Sequence, residues 1–153
     1  IEGSLDKEKL NSLHEAVVHL LRNSLDHGIE KPDERLHRGK DEVGQIEINC
    51  YKEEAEFVIS LKDDGGGIDL KRLVEKAKNN KIMDEKELIE MSDQEKVNLI
   101  FLPNFSTKEK VSEISGRGVG MDAVKKVLES IGARIEIENN PGHGTNFLIT
   151  FSS

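Results

Sequence analysis

The chain has 153 residues, 35% hydrophobic and 34% charged, with a net charge of −8. That balance suits one soluble domain with a moderate core and leaves no run near the roughly 20 apolar residues of a membrane span. The acidic surplus argues against nucleic acid as a partner, since that binding rests on a basic face that neutralises phosphates.

The opening Ile1-Glu2-Gly3-Ser4 has neither an initiator Met nor a basic and apolar signal pattern. These four residues are expected to be a remnant and the chain an excised piece; the lone cysteine and missing signal pattern make the cytoplasm the expected compartment. From Leu10 to Leu25, Leu10, Leu13, Val17, Leu20, Leu21 and Leu25 recur at helical spacing and predict a helix with that side in the core. Glu15, His19, Asn23 and His27 step by four and, with Asp26, form a polar stripe opposite. Gly28 is the stop signal. The charged stretch Lys31–Gly44, with Pro32, reads as a loop containing a short helical turn.

Gln45–Tyr51 and Glu56–Lys62 alternate polar and apolar residues around Lys52–Ala55, which predicts an antiparallel hairpin with one buried face. The single cysteine, Cys50, excludes an internal disulfide and lies in phase with Ile46 and Ile48, so packing is its expected role. Asp63-Asp64-Gly65-Gly66-Gly67 follows the second strand at once. Leu70–Met91 reads as two short helices with a break near Asn79-Asn80. Ser92-Asp93-Gln94-Glu95 resembles a capping box before a third, Val97–Leu102. After a loop from Pro103 to Ser115 comes a helix, Met121–Ile131, ended by Gly132; two further strands, Arg134–Asn139 and Thr145–Phe151, flank a glycine-bearing turn. With no internal boundary or repeat, four strands and interspersed helices predict an α/β two-layer sandwich, one domain over 1–153, with helices on one face of a mainly antiparallel sheet.

Within Ser115–Gly132, "SGRGVGMDAVKKVLESIG" places Gly116, Gly118 and Gly120 at alternate positions before an amphipathic helix. A bare loop entering a helix N-terminus suits an anion, and a flexible surface loop is the plainer alternative. The Gly-Lys-Ser/Thr ending of a P-loop is missing, and no strand leads into the loop as a dinucleotide-type turn requires. The five histidines have no companions at structural metal-site spacing.

Taken together and in order, "HLLRNSLDHG", "DDGGGID", "FLPNFSTKEKVSEISGRGVGMDAV" and "PGHGTNF" resemble the four boxes of the ATP-binding domain shared by histidine kinases, gyrase B and Hsp90. Within that superfamily "HLLRNSLDHGIE" and "FSTKEKVSEISGRGVGMD" resemble the kinase domain of CheA-type chemotaxis histidine kinases, over about Leu5 to Phe151. The resemblance implies a Bergerat-type fold, Mg²⁺ and ATP as ligands, and 103–120 as the ATP lid.

The resemblance also implies roles for individual residues. Asp63 accepts from the adenine amine, with Asp64 the alternative holder and a turn-capping role the plain reading. Gly65 and Gly67 bring the backbone toward the base, beside Ile68, and Thr145 lies on the adenine side or simply packs in its strand. Asn23 ligates Mg²⁺ through its amide oxygen. His19 approaches the ion and triphosphate where hydrolytic relatives carry a glutamate base, and Glu15 is a reserve base. Arg22 and His27, the latter oriented by Asp26, donate to phosphate or form surface ion pairs. In the lid, backbone N–H groups of Gly118, Val119, Gly120 and Met121 face the triphosphate, Lys108 and Arg117 add charge, Ser106 and Thr107 add hydroxyls, and nucleotide orders the loop.

The function so implied is phosphoryl transfer from ATP to a histidine on a separate phosphoacceptor domain, in cis or trans. A response regulator stands downstream, and a dimeric full-length kinase works with adaptor and receptor, without nucleic acid or membrane insertion. His14, in a His-Glu pair, is a rival phosphoacceptor, but it shares a helix with Asn23. An ATP hydrolase or conformational clamp is the second reading, opposed by His19; a non-catalytic nucleotide-binding module is the third, opposed by the intact boxes.

Overall fold

The structure is a computed structural model that describes residues 6–103, 105 and 120–152. Its elements, in chain order, are α1 (Lys7–Asn23) running into a π-helical turn (Ser24–Gly28), α2 (Pro32–His37), β1 (Ile46–Glu53), β2 (Glu56–Asp63), α3 (Leu70–Asn79), α4 (Glu85–Glu90), α5 (Asp93–Val97) with a 3₁₀ turn (Asn98–Phe101), α6 (Met121–Ser130), β3 (Ala133–Asn140) and β4 (Gly144–Ser152). The backbone forms two compact units, residues 1–68 with 128–153, and 69–127.

The first unit is built on a four-stranded sheet in the order β1-β2-β4-β3, antiparallel throughout. Two hairpins therefore meet along β2 and β4. The register aligns Ile48 with Leu61, Leu61 with Phe147 and Phe147 with Ile137 on one face. In β3 the alternation is clean, with Ala133, Ile135 and Ile137 buried and Arg134, Glu136 and Glu138 exposed, as a half-covered sheet requires. The solvent face carries a polar ladder in which Ser60 Oγ donates to Asn146 Oδ1 at 2.8 Å and Asn146 Nδ2 to Glu138 Oε2 at 3.2 Å.

Helix α1 starts where the Asp6 carboxylate accepts from Lys9 N at 2.8 Å, a cap that stabilises a helix by about 1 kcal/mol. It contacts β2 and buries Leu13, Ala16 and Leu20. The core line thus steps 13, 16, 20 and continues to buried Ser24. It differs from the expected stripe: Leu10 and Leu25 are more than half exposed, because the helix turns the 13–16–20 edge, not the 10–21–25 edge, to its neighbours. Cys50 is likewise exposed, not packed. It lies on the apolar face, but β1 is an edge strand, and Ile48 beside it is 45% exposed.

The second unit is helical. Ala77, Leu88, Leu99 and Phe105 form its core, with Leu73, Val74, Ile82, Met83, Met91 and Leu102 packed around them. The break after α3 follows Asn80 and the left-handed Lys81, φ 54°. Asp69 Oδ1 caps α3 by accepting from Lys71 N and Arg72 N. Ser92 Oγ accepts from Glu95 N at 3.2 Å, so α5 begins at Asp93, earlier than the sequence pattern suggests. Phe105, in the stretch read as a loop, is buried beneath Lys76, whose ammonium lies 5.2 Å from its ring.

Candidate nucleotide site

The geometry of the site is best defined around Asp63. The last residue of β2 is 3% exposed, and a carboxylate buried to that degree needs hydrogen-bond donors. It has three among the described residues. Ser24 Oγ donates to Oδ2 at 3.0 Å, while Gly65 N and Thr145 N donate to Oδ1 at 3.0 and 3.3 Å. An ionised carboxylate accepts about four hydrogen bonds, so this donor set leaves acceptor capacity on the Oδ2 side. That is what an exocyclic amine needs, and the residues present fit the base end of a nucleotide.

The elements converge on Asp63 because their backbones can approach closely. A Cβ on Gly65 would overlap the carbonyl oxygen of Gly28, and a Cβ on Gly144, φ 118°, would overlap the carbonyl of Asp63 itself. Gly67, φ 75°, lies against the carbonyl of Asn140. These glycines thus admit protein backbone, a structural demand that stands beside the approach to a base expected from the sequence.

The turn after Asp63 is tied on every side. Gly66 N donates to Gly28 O at 3.0 Å and Gly142 N to Gly66 O at 2.8 Å. Asn139 clamps Ile68 with both halves of its amide, Oδ1 accepting from Ile68 N at 2.8 Å and Nδ2 donating to Ile68 O at 2.9 Å. Thr145 is buried and reaches Asp63 through its backbone N–H.

On α1, His19 and Asn23 are one turn apart, both half-buried, with Arg22 half-buried beside them and Glu15 exposed one turn earlier. An amide oxygen and an imidazole nitrogen are suitable donors to a hard or borderline cation. Burial, then the positive charge of Arg22, push the His19 imidazole below its ordinary value of 6.5 against the opposing charge of Glu15. This environment disfavours the charged ring. Asp26 and His27 are exposed within the π-helical turn, whose Ile29 N to Ser24 O bond of 2.8 Å is the i→i+5 closure of that geometry. Gly120 and Met121 open α6 in the second unit. Ser106, Thr107, Lys108, Gly116, Arg117, Gly118 and Val119 lie outside the described residues.

Ser24, Asn139, Glu30, Arg35 and Lys40 were not legible as parts of this site. The one available signal was Ser24 itself, a polar residue four positions after Leu20 on the buried line of α1, which must find a partner.

Comparison with known proteins now settles the family. Residues 8–153 match the family model described as histidine kinase-, DNA gyrase B- and HSP90-like ATPase. The chain belongs to that family. Within it, the chain is homologous to the CheA chemotaxis histidine kinases. It is 41% identical over 97% of its length to chemotaxis protein CheA of Bacillus subtilis and 44% identical over 94% to sensor histidine kinase CheAY of Helicobacter pylori. It spans only about a fifth of those relatives, 22% and 18% of their lengths. Two solved structures share the fold, both at TM-score 0.51. The histidine kinase domain of the Erythrobacter litoralis blue-light activated kinase EL346 is 15% identical, over 95% of this chain and 45% of that one; the catalytic domain of histidine kinase ThkA is 21% identical, over 93% and 66%. The chain is thus an ATP-binding domain of the histidine kinase, gyrase B and HSP90-like class, with the antiparallel sheet and helices that class predicts. No described helix is long and apolar enough to cross a membrane.

Proposed function

We propose that this domain binds Mg-ATP and transfers the γ-phosphoryl group to a histidine on a separate phosphoacceptor domain, as part of a CheA-like kinase. The observation that carries the reading is the Asp63 carboxylate, buried and held by three donors with acceptor capacity to spare, in a chain homologous along nearly its whole length to chemotaxis kinases. Asp63 selects adenine, because its carboxylate accepts from an amine and repels a carbonyl. Asn23 and His19 hold the metal end; Mg²⁺, when bound, neutralises charge on the phosphates.

In the reaction a nitrogen of the acceptor imidazole bonds to the γ-phosphorus as the bond to the bridging oxygen breaks. ADP leaves, and the acceptor ring loses its proton to solvent. The domain's own contribution is positioning and charge stabilisation. Arg22 and His27, with Asp26 orienting the latter, and the lid residues Lys108 and Arg117, with Ser106, Thr107 and the amides of 118–121, complete the proposed phosphate contacts. His19 stands where the resemblance places a water-activating glutamate in hydrolytic members, and that replacement weighs against the hydrolase reading. The proposed setting is cytoplasmic, within a dimeric kinase served by an adaptor and receptor and passing phosphate to a response regulator.

Incubation with γ-labelled ATP, with and without a phosphoacceptor domain, tests this. Label on the acceptor is expected. Free phosphate alone would make the domain a hydrolase or clamp, and absence of nucleotide binding a non-catalytic module. Asn23→Ala should abolish transfer while sparing much of the affinity for nucleotide, and undiminished transfer would remove the metal assignment.

A further inference from the structure

The charged segment between α1 and β1, whose sequence reads as a loop containing a short helical turn, holds the largest fully buried side chain of the described residues, Arg35, at 1% exposure. A guanidinium buried so deeply must be compensated on all sides. Its Nε donates to Asp41 O at 2.6 Å, Nη1 to Glu30 Oε1 at 3.1 Å and to Asp64 O at 3.3 Å, and Nη2 to Asp64 Oδ2 at 3.0 Å. Lys40 Nζ lies against the same turn, donating to Glu30 Oε2 at 2.8 Å, to Asp64 O at 3.0 Å and to Gly65 O at 2.8 Å. The Glu30 side chain, 5% exposed, thus bridges the two cations.

The destination of these donors is the informative part. Both cations reach the carbonyl of Asp64, and Lys40 also takes that of Gly65. In a planar trans peptide the C=O of one residue and the N–H of the next point in opposite directions. Drawing Asp64 O toward Arg35 and Lys40 therefore turns Gly65 N–H the other way, onto Asp63 Oδ1. Drawing Gly65 O toward Lys40 turns Gly66 N–H onto Gly28 O. A turn of three successive glycines has little conformational preference of its own, so its peptide planes are set from outside.

We propose that Arg35 and Lys40, bridged by Glu30, are positioning residues that fix the two peptide planes after Asp63 and so aim its carboxylate at the base. The inference rests on the nucleotide reading above and adds base selectivity to what the 30–41 segment does. The ionised state of Glu30 agrees with this bridging role. Burial works to raise its carboxyl, but the Lys40 hydrogen bond and the charges of Lys40 and Arg35 hold it below the ordinary value.

The test is calorimetric titration of ATP and GTP into the whole chain and into Lys40→Met and Lys40→Arg. Removing the lysine should lower the preference for ATP over GTP by about five- to tenfold, the worth of one well-placed hydrogen bond, and Lys40→Arg should recover most of it. An unchanged ATP-to-GTP ratio in a folded Lys40→Met protein overturns the proposal, since a purely structural role weakens both nucleotides alike. Amide hydrogen exchange at Gly65 and Gly66, read without nucleotide in Lys40→Arg and Glu30→Gln as well, gives a second readout. Faster exchange in Glu30→Gln than in Lys40→Arg is expected, and equal protection in all variants counts against the proposal. A wild-type chain that binds neither nucleotide defeats the nucleotide reading instead, and exchange then still decides whether the two cations hold the turn.

Discussion

The hydroxyl of Ser24 donates to Oδ2 of Asp63 at 3.0 Å, joining the end of α1 to the end of β2. The two residues are 39 positions apart, and Oδ1 is already taken by two backbone donors. Ser24 therefore governs the orientation of the oxygen left for a base. Ser24→Ala should cost about 1 kcal/mol in nucleotide affinity, roughly fivefold, and should also lower the melting temperature, because the buried carboxylate loses a donor. Asp63→Asn should weaken ATP more than GTP. Titration calorimetry on both variants checks the pair, and full affinity in Ser24→Ala would show the hydroxyl to be incidental.

Gly65→Ala places a methyl group into the carbonyl oxygen of Gly28. The clash is with backbone, so rotamer changes cannot relieve it, and overpacking of this kind typically costs about 1–3 kcal/mol. The variant should melt lower and lose nucleotide binding, whereas Gly39→Ala, at a position with open space around it but φ 75°, should affect stability only. Thermal melts followed by titration separate the two.

Acid should loosen the clamp behind the turn. The Glu30 carboxyl lies below its ordinary value of 4.5. A carboxyl depressed by folding contributes stability that is fully present above the unfolded value and is lost as pH falls through the folded one. Thermal stability of the wild-type chain should therefore decline from about pH 4.5 downward, and Glu30→Gln should be less stable near neutrality with a shallower acid slope. Parallel slopes for the two proteins would show that Glu30 does not titrate in folding.

His19 should titrate below 6.5, since burial and Arg22 disfavour its charged form. Folding depresses this value, so the imidazole's contribution is intact above 6.5 and falls as pH drops toward the folded value. The ring proton shifts of the nucleotide-free chain report it directly, and Arg22→Gln should raise the midpoint. A midpoint at or above 6.5 would contradict the environment described.

Much of this was readable from the chain. Asp63 closes an alternating strand just before three glycines, a local pattern that the sheet places at the end of β2. Helical spacing alone puts His19 and Asn23 on one face of α1, whereas their proposed roles rest on the family resemblance. Arg35 and Lys40 were hidden because their partners Asp64 and Gly65 lie 24 to 29 residues away, and a charged stretch with Pro32 reads locally as a loop. Cys50 misled for a related reason. Alternation assigns a residue to a face, but strand order decides whether that face is covered, and β1 lies at the edge.

The π-helical turn at Ser24–Gly28 makes segment length itself a constraint. Its wider closure holds one more residue than α-helical winding, and Gly28, its last member, presents the carbonyl that receives Gly66 N–H. Deleting a single residue from Leu25–His27 would restore the tighter coil and shift that carbonyl away from Gly66 N–H. Natural or designed versions of this loop should therefore tolerate exchange of side chains at 25–27 far better than a change in their number.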